Sequence, residues 1–296
     1  MAVMKEYHII NPAAGHGTAP DEAKKTASAD AILYYTTGVG DARAYLAKTL
    51  AGITEDVRVF AWGGDGTIGE VVSGIMDAGA ADHAILTACP AGTGNDFVRM
   101  FADTAPGTEL RLDLLSCADR YVLNMVNIGF DCEAAERMSV WKKKPFVRGP
   151  LAYIFGVLEV LTRLRGYPLK ITYTDADGAV CTEEGLYLLC AAANGQYCGG
   201  GFRGAPTASL SDGFAEFLIV DHIPRKRIFS LIGLYRAGTH VDADGKPVPK
   251  IADVLRYVRA SRITVSGMDI VCLDGDIARK NEIEINVVPG ALRYMV

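Results

Sequence analysis

Asp65 stands in a glycine-rich turn, Gly63-Gly64-Asp65-Gly66, between a buried strand expected at Val57–Trp62 and a helix expected from about Thr67. Glycines at 63, 64 and 66 let the backbone turn tightly and approach a ligand, where a Cβ would clash. The helix N-terminus behind the turn offers unpaired N–H groups and the positive end of a dipole, which together suit phosphate. A carboxylate beside a phosphate is repulsive unless a cation lies between them, so the turn reads as a site for a nucleotide with Mg²⁺. A second loop repeats the arrangement. Pro90-Ala-Gly-Thr-Gly-Asn-Asp-Phe97 follows a strand expected at Ala84–Ala88 and is expected to lead into another helix. There Gly92 and Gly94 free the backbone, Thr93 offers a hydroxyl and Asp96 supplies a second carboxylate.

Other readings of the first turn stay open at this point. Residues 64–69 formally match G-x-G-x-x-G after a strand, but a dinucleotide site also wants an acid about 20 residues on. The corresponding stretch, Ile85–Pro90, has none. The phosphate-loop pattern with its lysine is absent. A plain strand–helix turn with an incidental aspartate is the remaining alternative.

The elements that must position these loops alternate regularly. Tyr7–Ile10 reads as a strand ending at Asn11-Pro-Ala-Ala-Gly, and Ala31–Tyr35 as a strand followed by Thr36-Thr-Gly-Val-Gly-Asp41. Asp41 reads as the N-cap of a helix over Ala42–Leu50. Four rounds of strand, loop and helix in the first hundred residues point to a parallel sheet with helices on both faces. Open sheets of that kind place ligands at the C-terminal ends of their strands.

From about residue 110 the pattern changes. Leu110–Leu115 and Tyr121–Ile128 read as strands, and Phe130–Val140 and Leu151–Leu164 as helices. Beyond Pro168, short alternating segments with turn signals read as an antiparallel β domain, interrupted by one helix near Arg225–Arg236. Between the two earlier helices, Trp141–Arg148 gathers cations around an aromatic pair. Such a run is either a solvated face or a surface that meets anionic headgroups.

Composition bounds the rest. The chain has 296 residues, half of them hydrophobic, enough for one large or two medium domains. A net charge of −5 does not favour a nucleic-acid partner. Seven scattered cysteines without a C-x-x-C pair and an N-terminus unlike a secretory signal indicate reduced thiols and a cytoplasmic setting. No apolar run is long enough to span a bilayer.

GGDGT followed by P-A-G-T-G-N-D-F resembles the catalytic domain shared by diacylglycerol, sphingosine and ceramide kinases and the soluble bacterial lipid kinases. The resemblance covers nearly the whole chain. Gly69 departs from it, standing where the family usually has asparagine. It implies a fold that is α/β plus β. An N-terminal Rossmann-like parallel sheet with helices on both faces would be followed by a C-terminal antiparallel β-sandwich-like domain. Residues 1–122 would bind nucleotide and 123–284 lipid, with a last strand, 285–296, returning to the first domain. It further implies that Asn11, Thr36, Gly63, Gly64, Asp65, Gly66, Thr67, Gly92, Thr93, Asn95 and Asp96 line an ATP site, with Asp65 orienting Mg²⁺. Asp274, in Asp274-Gly275-Asp276, matches the base that activates the lipid hydroxyl, and Asp276 replaces the usual glutamate. In Pro206–Phe214, Asp212 and the carbonyls of Ser209 and Phe214 map onto a structural Mg²⁺ site. Asp131 lies where related kinases contact the lipid head.

The implied activity is ATP-dependent phosphorylation of a lipid hydroxyl at a cleft between the domains. The alternatives are an NAD kinase-like enzyme and a non-catalytic nucleotide-binding regulator. The expected partners are a lipid at the inner membrane surface, visited transiently, and a second copy of the chain in a homodimer.

Overall fold

The computed structural model describes residues 4–92, 95–117, 119–142, 144 and 150–296. They form two compact units. Met1–Leu114, Leu210–Gly213 and Val288–Val296 make the first, and Leu115–Ser209 and Phe214–Val287 the second. The first unit thus ends before the expected residue 122 and recovers a short segment, 210–213, from the middle of the chain.

The first unit alternates β1 (Lys5–Ile10), α1 (Ala19–Thr26), β2 (Ile32–Tyr35), α2 (Asp41–Thr49), β3 (Val57–Gly63), α3 (Asp65–Asp77) and β4 (Ala84–Pro90). β1 pairs in parallel with β2 and β3, and β3 with β4. The C-terminal part of β14 (Glu282–Met295) adds a further parallel strand beside β4. β3 is buried at Val57, Val59, Ala61 and Trp62, the apolar run expected of a parallel strand covered on both faces. α1 sets Ala19 and Ala23 on Ile10 and Trp62. α2 and α3 approach closely because Gly74 has no side chain; a Cβ there would lie 2.9 Å from the Arg43 carbonyl oxygen.

Two sequence expectations fail here. Asp41 is not an N-cap: Gly40 takes that place, and Asp41 turns back to accept from the Thr37 N–H at 2.7 Å and hydroxyl at 2.9 Å. The second glycine loop does not open an α-helix. Only a 3₁₀ turn, Val98–Phe101, follows it. Phe97 and Phe101 are drawn into a ring cluster with Tyr294, and Pro106-Gly107 soon afterwards stops any longer helix.

The second unit is built on β5 (Glu109–Cys117, shared at its start with the first unit), β6 (Arg120–Val122), β7 (Met125–Gly129), α4 (Phe130–Lys142), α5 (Pro150–Thr162), β8 (Tyr167–Asp175), β9 (Val180–Ala193) and β10 (Ala215–Asp221). α6 (Arg225–Ala237), β11 (Leu255–Ser266), β12 (Ile270–Leu273), β13 (Asp276–Arg279) and the start of β14 complete it. The strand order β13–β12–β7–β9–β10–β11–β14 is antiparallel, and β8 pairs with both β9 and β11. Side chains alternate between two cores. Val126, Ile128, Cys190, Phe217 and Ile219 point into one, within the sandwich-like strands. Met125, Leu189, Leu218 and Val220 point into the other, which Phe130, Val160, Leu161 and Ile228 of the helices cover. The period of two along each strand makes this double burial.

Tyr121–Ile128 is two strands, not the single one expected. The break at Leu123-Asn124 has a definite cause, a side chain that takes the backbone N–H groups there.

Candidate active site

At the C-terminal ends of β1, β3 and β4, three loops of the first unit converge. The Gly15 N–H donates to the Ala91 carbonyl at 2.7 Å and the Ala91 N–H to the Gly63 carbonyl at 2.9 Å. Asn11 donates from Nδ2 to the Thr67 hydroxyl at 3.3 Å while its Oδ1 accepts from the Ala13 N–H. Asp65 carries the contact between the two glycine loops. Its Oδ2 accepts from the Asp96 N–H and its Oδ1 from the Phe97 N–H, both at 3.1 Å.

The glycines do something besides approaching a ligand: they approach each other. A Cβ on Gly92 would lie 2.5 Å from the Gly64 Cα, a distance that bonded structure alone could tolerate. A Cβ on Gly63 would strike the Thr67 side chain at 2.3 Å, whereas Gly66 is exposed with open space around it. Asn95, at φ 53°, closes the second loop by exchanging hydrogen bonds with the Gly92 N–H and carbonyl. α3 begins at Asp65 with Gly64 as N-cap and no side chain capping it. Its first N–H groups therefore lack the usual side-chain acceptor, the condition under which a helix start holds an anion. Thr36 ends β2 with its N–H on the Ile10 carbonyl at 2.9 Å. Asp96 is buried, 3.6 Å from the Arg99 guanidinium. Thr93 lies outside the described residues, as do most of residues 143–149 in the basic stretch.

Asp274 belongs to the second unit, where Asp274-Gly275 is a two-residue hairpin turn between β12 and β13. Both residues have positive φ, 48° and 94°, the geometry that Asp-Gly favours. The carboxylate is also engaged. Oδ2 accepts from the Leu123 N–H at 2.7 Å, and Oδ1 from the Asn124 N–H at 3.0 Å and the Met125 N–H at 2.9 Å. This is what breaks the strand at 123–124. Asp276 is exposed and pairs with Arg120 at 2.9 Å.

Asp131, at the start of α4, lines a small apolar pocket of about 50 Å³ in the second unit, with Phe130, Leu189, Leu218, Ile232 and Tyr235 among its walls. Burial pushes its carboxyl up to about 6, partly offset by a hydrogen bond from Tyr235. Burial also raises the Tyr235 phenol and lowers His240, on the same pocket. An apolar pocket with a few converging polar groups is the kind of place where a small apolar group of a ligand can be held.

Of the expected metal ligands, Ser209 and Phe214 belong to the second unit and Asp212, exposed, to the first. Phe214 packs its ring under the Arg259 guanidinium at 4.6 Å. Among the described residues, no group of three or more His, Cys, Asp or Glu side chains is placed to hold a metal.

Sequence reasoning missed Asp113, Tyr235 and His240. Asp113 is buried in β5 and accepts from the Gly213 and Gly290 N–H groups, both at 2.7 Å, which anchors segment 210–213 in the first unit. A lone acid inside the apolar run Leu112–Leu115 was the available signal. Tyr235 and His240 carried none, since the pocket is assembled from elements far apart in the chain.

The diacylglycerol kinase catalytic domain family matches residues 6–124. The YegS C-terminal NAD kinase β-sandwich-like domain matches residues 124–296. A probable lipid kinase YegS-like from Pseudomonas fluorescens is 30% identical over 92% of this chain and 87% of its own. A diacylglycerol kinase from Mycobacterium tuberculosis is 27% identical over 97% of this chain and 93% of its own. The crystal structure of a putative diacylglycerol kinase from Bacillus anthracis superposes with a TM-score of 0.71 at 22% identity, covering 100% of this chain and 98% of that one. That likeness speaks for the fold.

Proposed function

The chain belongs to the diacylglycerol kinase and YegS-like lipid kinase family, and on that premise we propose that it transfers the γ-phosphoryl group of ATP to a lipid hydroxyl. The observation that carries the nucleotide half is the joining of the two glycine loops, Gly64 against Gly92 and Asp65 across both, in front of the uncapped start of α3. Backbone N–H groups there suit the phosphates. Asp65 would hold Mg²⁺ together with phosphate oxygens. One carboxylate plus phosphates is a common donor set for this ion, which keeps several waters and needs no cage of side chains. When bound, Mg²⁺ neutralises charge on the transferring phosphoryl group. Asn11, Thr36, Thr67, Asn95 and Asp96 complete the nucleotide side.

Asp274 takes the proton of the lipid hydroxyl in this proposal. Its three N–H partners fix the carboxylate rigidly, which satisfies the positioning that general-base catalysis demands. Asp131 and Tyr235 would meet the polar end of the lipid, while Phe130, Leu189 and Leu218 meet its apolar part. The chain would collect that lipid at a membrane surface. Among the described residues no helix is long and apolar enough to cross a membrane.

The test is transfer of radiolabelled γ-phosphate from ATP, with and without Mg²⁺, to a panel of lipids and to NAD. Labelled lipid that requires Mg²⁺ is expected. Labelled NAD with no labelled lipid would replace the proposal by an NAD kinase, and nucleotide binding without any transfer by a regulator.

A further inference from the structure

His8, in the middle of β1, is fully buried and has no part in the chemistry above. It stacks on Phe60 of β3 with ring centroids 4.4 Å apart, and its Nδ1 accepts from the Trp62 indole N–H at 3.0 Å. An indole nitrogen only donates, so Nδ1 carries a lone pair and the ring's one proton is on Nε2. Nε2 has no hydrogen-bond partner. The Glu6 carboxylate stands 3.6 Å from it, and accepts instead from the Ser28 N–H at 3.1 Å.

Trp62 is the last side chain before the first glycine turn, and its backbone helps to hold the loops. Its carbonyl accepts from the Asn11 N–H at 3.0 Å, and Asn11 in turn reaches the Thr67 hydroxyl. The next carbonyl, of Gly63, accepts from the Ala91 N–H in the second loop.

A second proton on His8 can go only to Nδ1, where it would face the indole N–H, donor against donor. The imidazolium and the Trp62 hydrogen bond therefore exclude each other. Burial holds the ring below its ordinary 6.5, an effect that Glu6 partly offsets. The folded chain thus binds this proton less tightly than the unfolded one. The arrangement is complete above about pH 6.5 and is lost as pH falls through the lower folded value. Around the ring, Glu6 on β1 stands in register with Arg58 on β3, and β2 sets Leu33 opposite His8. α1 turns Ala19 and Ala23 inward and leaves Asp21, Glu22, Lys24 and Lys25 exposed. Cys89 of β4, in register with Trp62, has its thiol pushed up to about 12 by burial and stays neutral.

We infer that His8 is a positioning residue for the nucleotide site: its neutral imidazole fixes the Trp62 indole, and with it the strand end that holds Asn11 and the first glycine turn, and protonation releases them. The inference rests on the nucleotide reading of the glycine loops. An indole N–H buried without its acceptor is costly enough to change an affinity roughly tenfold when binding needs it in place.

The experiment measures Mg–ATP affinity by calorimetry at pH 8 and pH 5.5 for the full chain and for two variants. His8→Asn keeps an oxygen near the place of Nδ1 and cannot be protonated there. His8→Leu keeps the bulk and removes the acceptor. At pH 8, His8→Leu should bind ATP roughly tenfold more weakly, with turnover at saturating ATP little changed, and His8→Asn should match wild type. Between pH 8 and 5.5, wild type should lose roughly tenfold more affinity than His8→Asn; the titration of ATP itself is common to both. The chain has two tryptophans, so in a Trp141→Phe background Trp62 fluorescence reports the indole directly. It should titrate with a midpoint below pH 6.5, and His8→Asn should abolish that titration. Wild-type affinity in His8→Leu at pH 8 would overturn the inference, as would a Trp62 titration that His8→Asn leaves in place. No ATP binding by wild type at either pH, with the fluorescence titration intact, would instead overturn the nucleotide reading.

Discussion

Asp274→Asn is the substitution on which base and scaffold roles part company. A residue acting only as a proton acceptor would lose turnover and keep its stability. The structure sets a different expectation, because the carboxylate accepts three backbone N–H groups at 2.7, 3.0 and 2.9 Å. An asparagine can keep its oxygen on the Asn124 and Met125 N–H groups, but its amide then faces the Leu123 N–H, donor to donor. One hydrogen bond to a charged group, about 1.5–3 kcal/mol, is lost and one N–H is left unsatisfied. The two remaining bonds also lose their charge. The φ of 48° adds nothing to the cost, because asparagine tolerates the left-handed region. The expected destabilisation is about 2–4 kcal/mol, a large share of the roughly 5–15 kcal/mol that holds an ordinary domain together. Asp274→Ala loses all three bonds and should cost more, and alanine at positive φ adds about 1–2 kcal/mol. Urea unfolding midpoints of the two variants check this, read beside turnover, which should fall by roughly 10²–10⁴ in the folded asparagine variant. An asparagine variant as stable as wild type to within about 0.5 kcal/mol would refute the anchoring argument.

Gly64→Val should push the glycine loops apart, since a Cβ there lies 3.2 Å from the Gly92 Cα, and ATP affinity by calorimetry should drop at least roughly tenfold. Unchanged affinity would show that the loops do not form the nucleotide site. Burial holds the Asp131 carboxyl at about 6 against an ordinary 3.8, so the folded chain keeps this proton more tightly than the unfolded one. The stability it contributes is full below about pH 4 and is lost as pH rises through about 6. Asp131→Asn should therefore be near neutral at about pH 4 and stabilising at about pH 8, by about 1–2 kcal/mol after allowance for its partial exposure; equal urea midpoint shifts at both pH values would contradict this. Within α3, Gly69→Ala should raise the thermal midpoint, because nothing lies within 4 Å of the new Cβ and a helical glycine costs about 1 kcal/mol. Gly74→Ala should lower it, with its Cβ 2.8 Å from that of Leu46; the same sign of change at both positions would show that the packing of α2 on α3 is misread.

The parallel sheet, the change to antiparallel strands and the two glycine loops were legible because each is written locally. Strand alternation, helical spacing and glycine turns are properties of neighbours in the chain, and Asp65 stands in one of those turns; Asn11 and Thr67 entered only through the family resemblance. The sequence placed Asp274-Gly275 at a strand end for the same reason. What it could not contain is the partner of each group. Asp274 reaches Leu123–Met125 across roughly 150 residues of chain. Gly64 needs no side chain because Gly92 is there, not only because a ligand comes near. Asp113 holds Gly213 and Gly290 from a strand that reads as plain core. The expected helix after the second loop failed on the same ground: Phe97 and Phe101 answer to Tyr294, near the end of the chain, before they answer to helical propensity. Local pattern determined where the loops stand. Long-range packing decided which backbone groups their carboxylates hold, and brought Asp131, Tyr235 and His240 to one apolar pocket, because a pocket is a property of surfaces that meet only after the chain has folded.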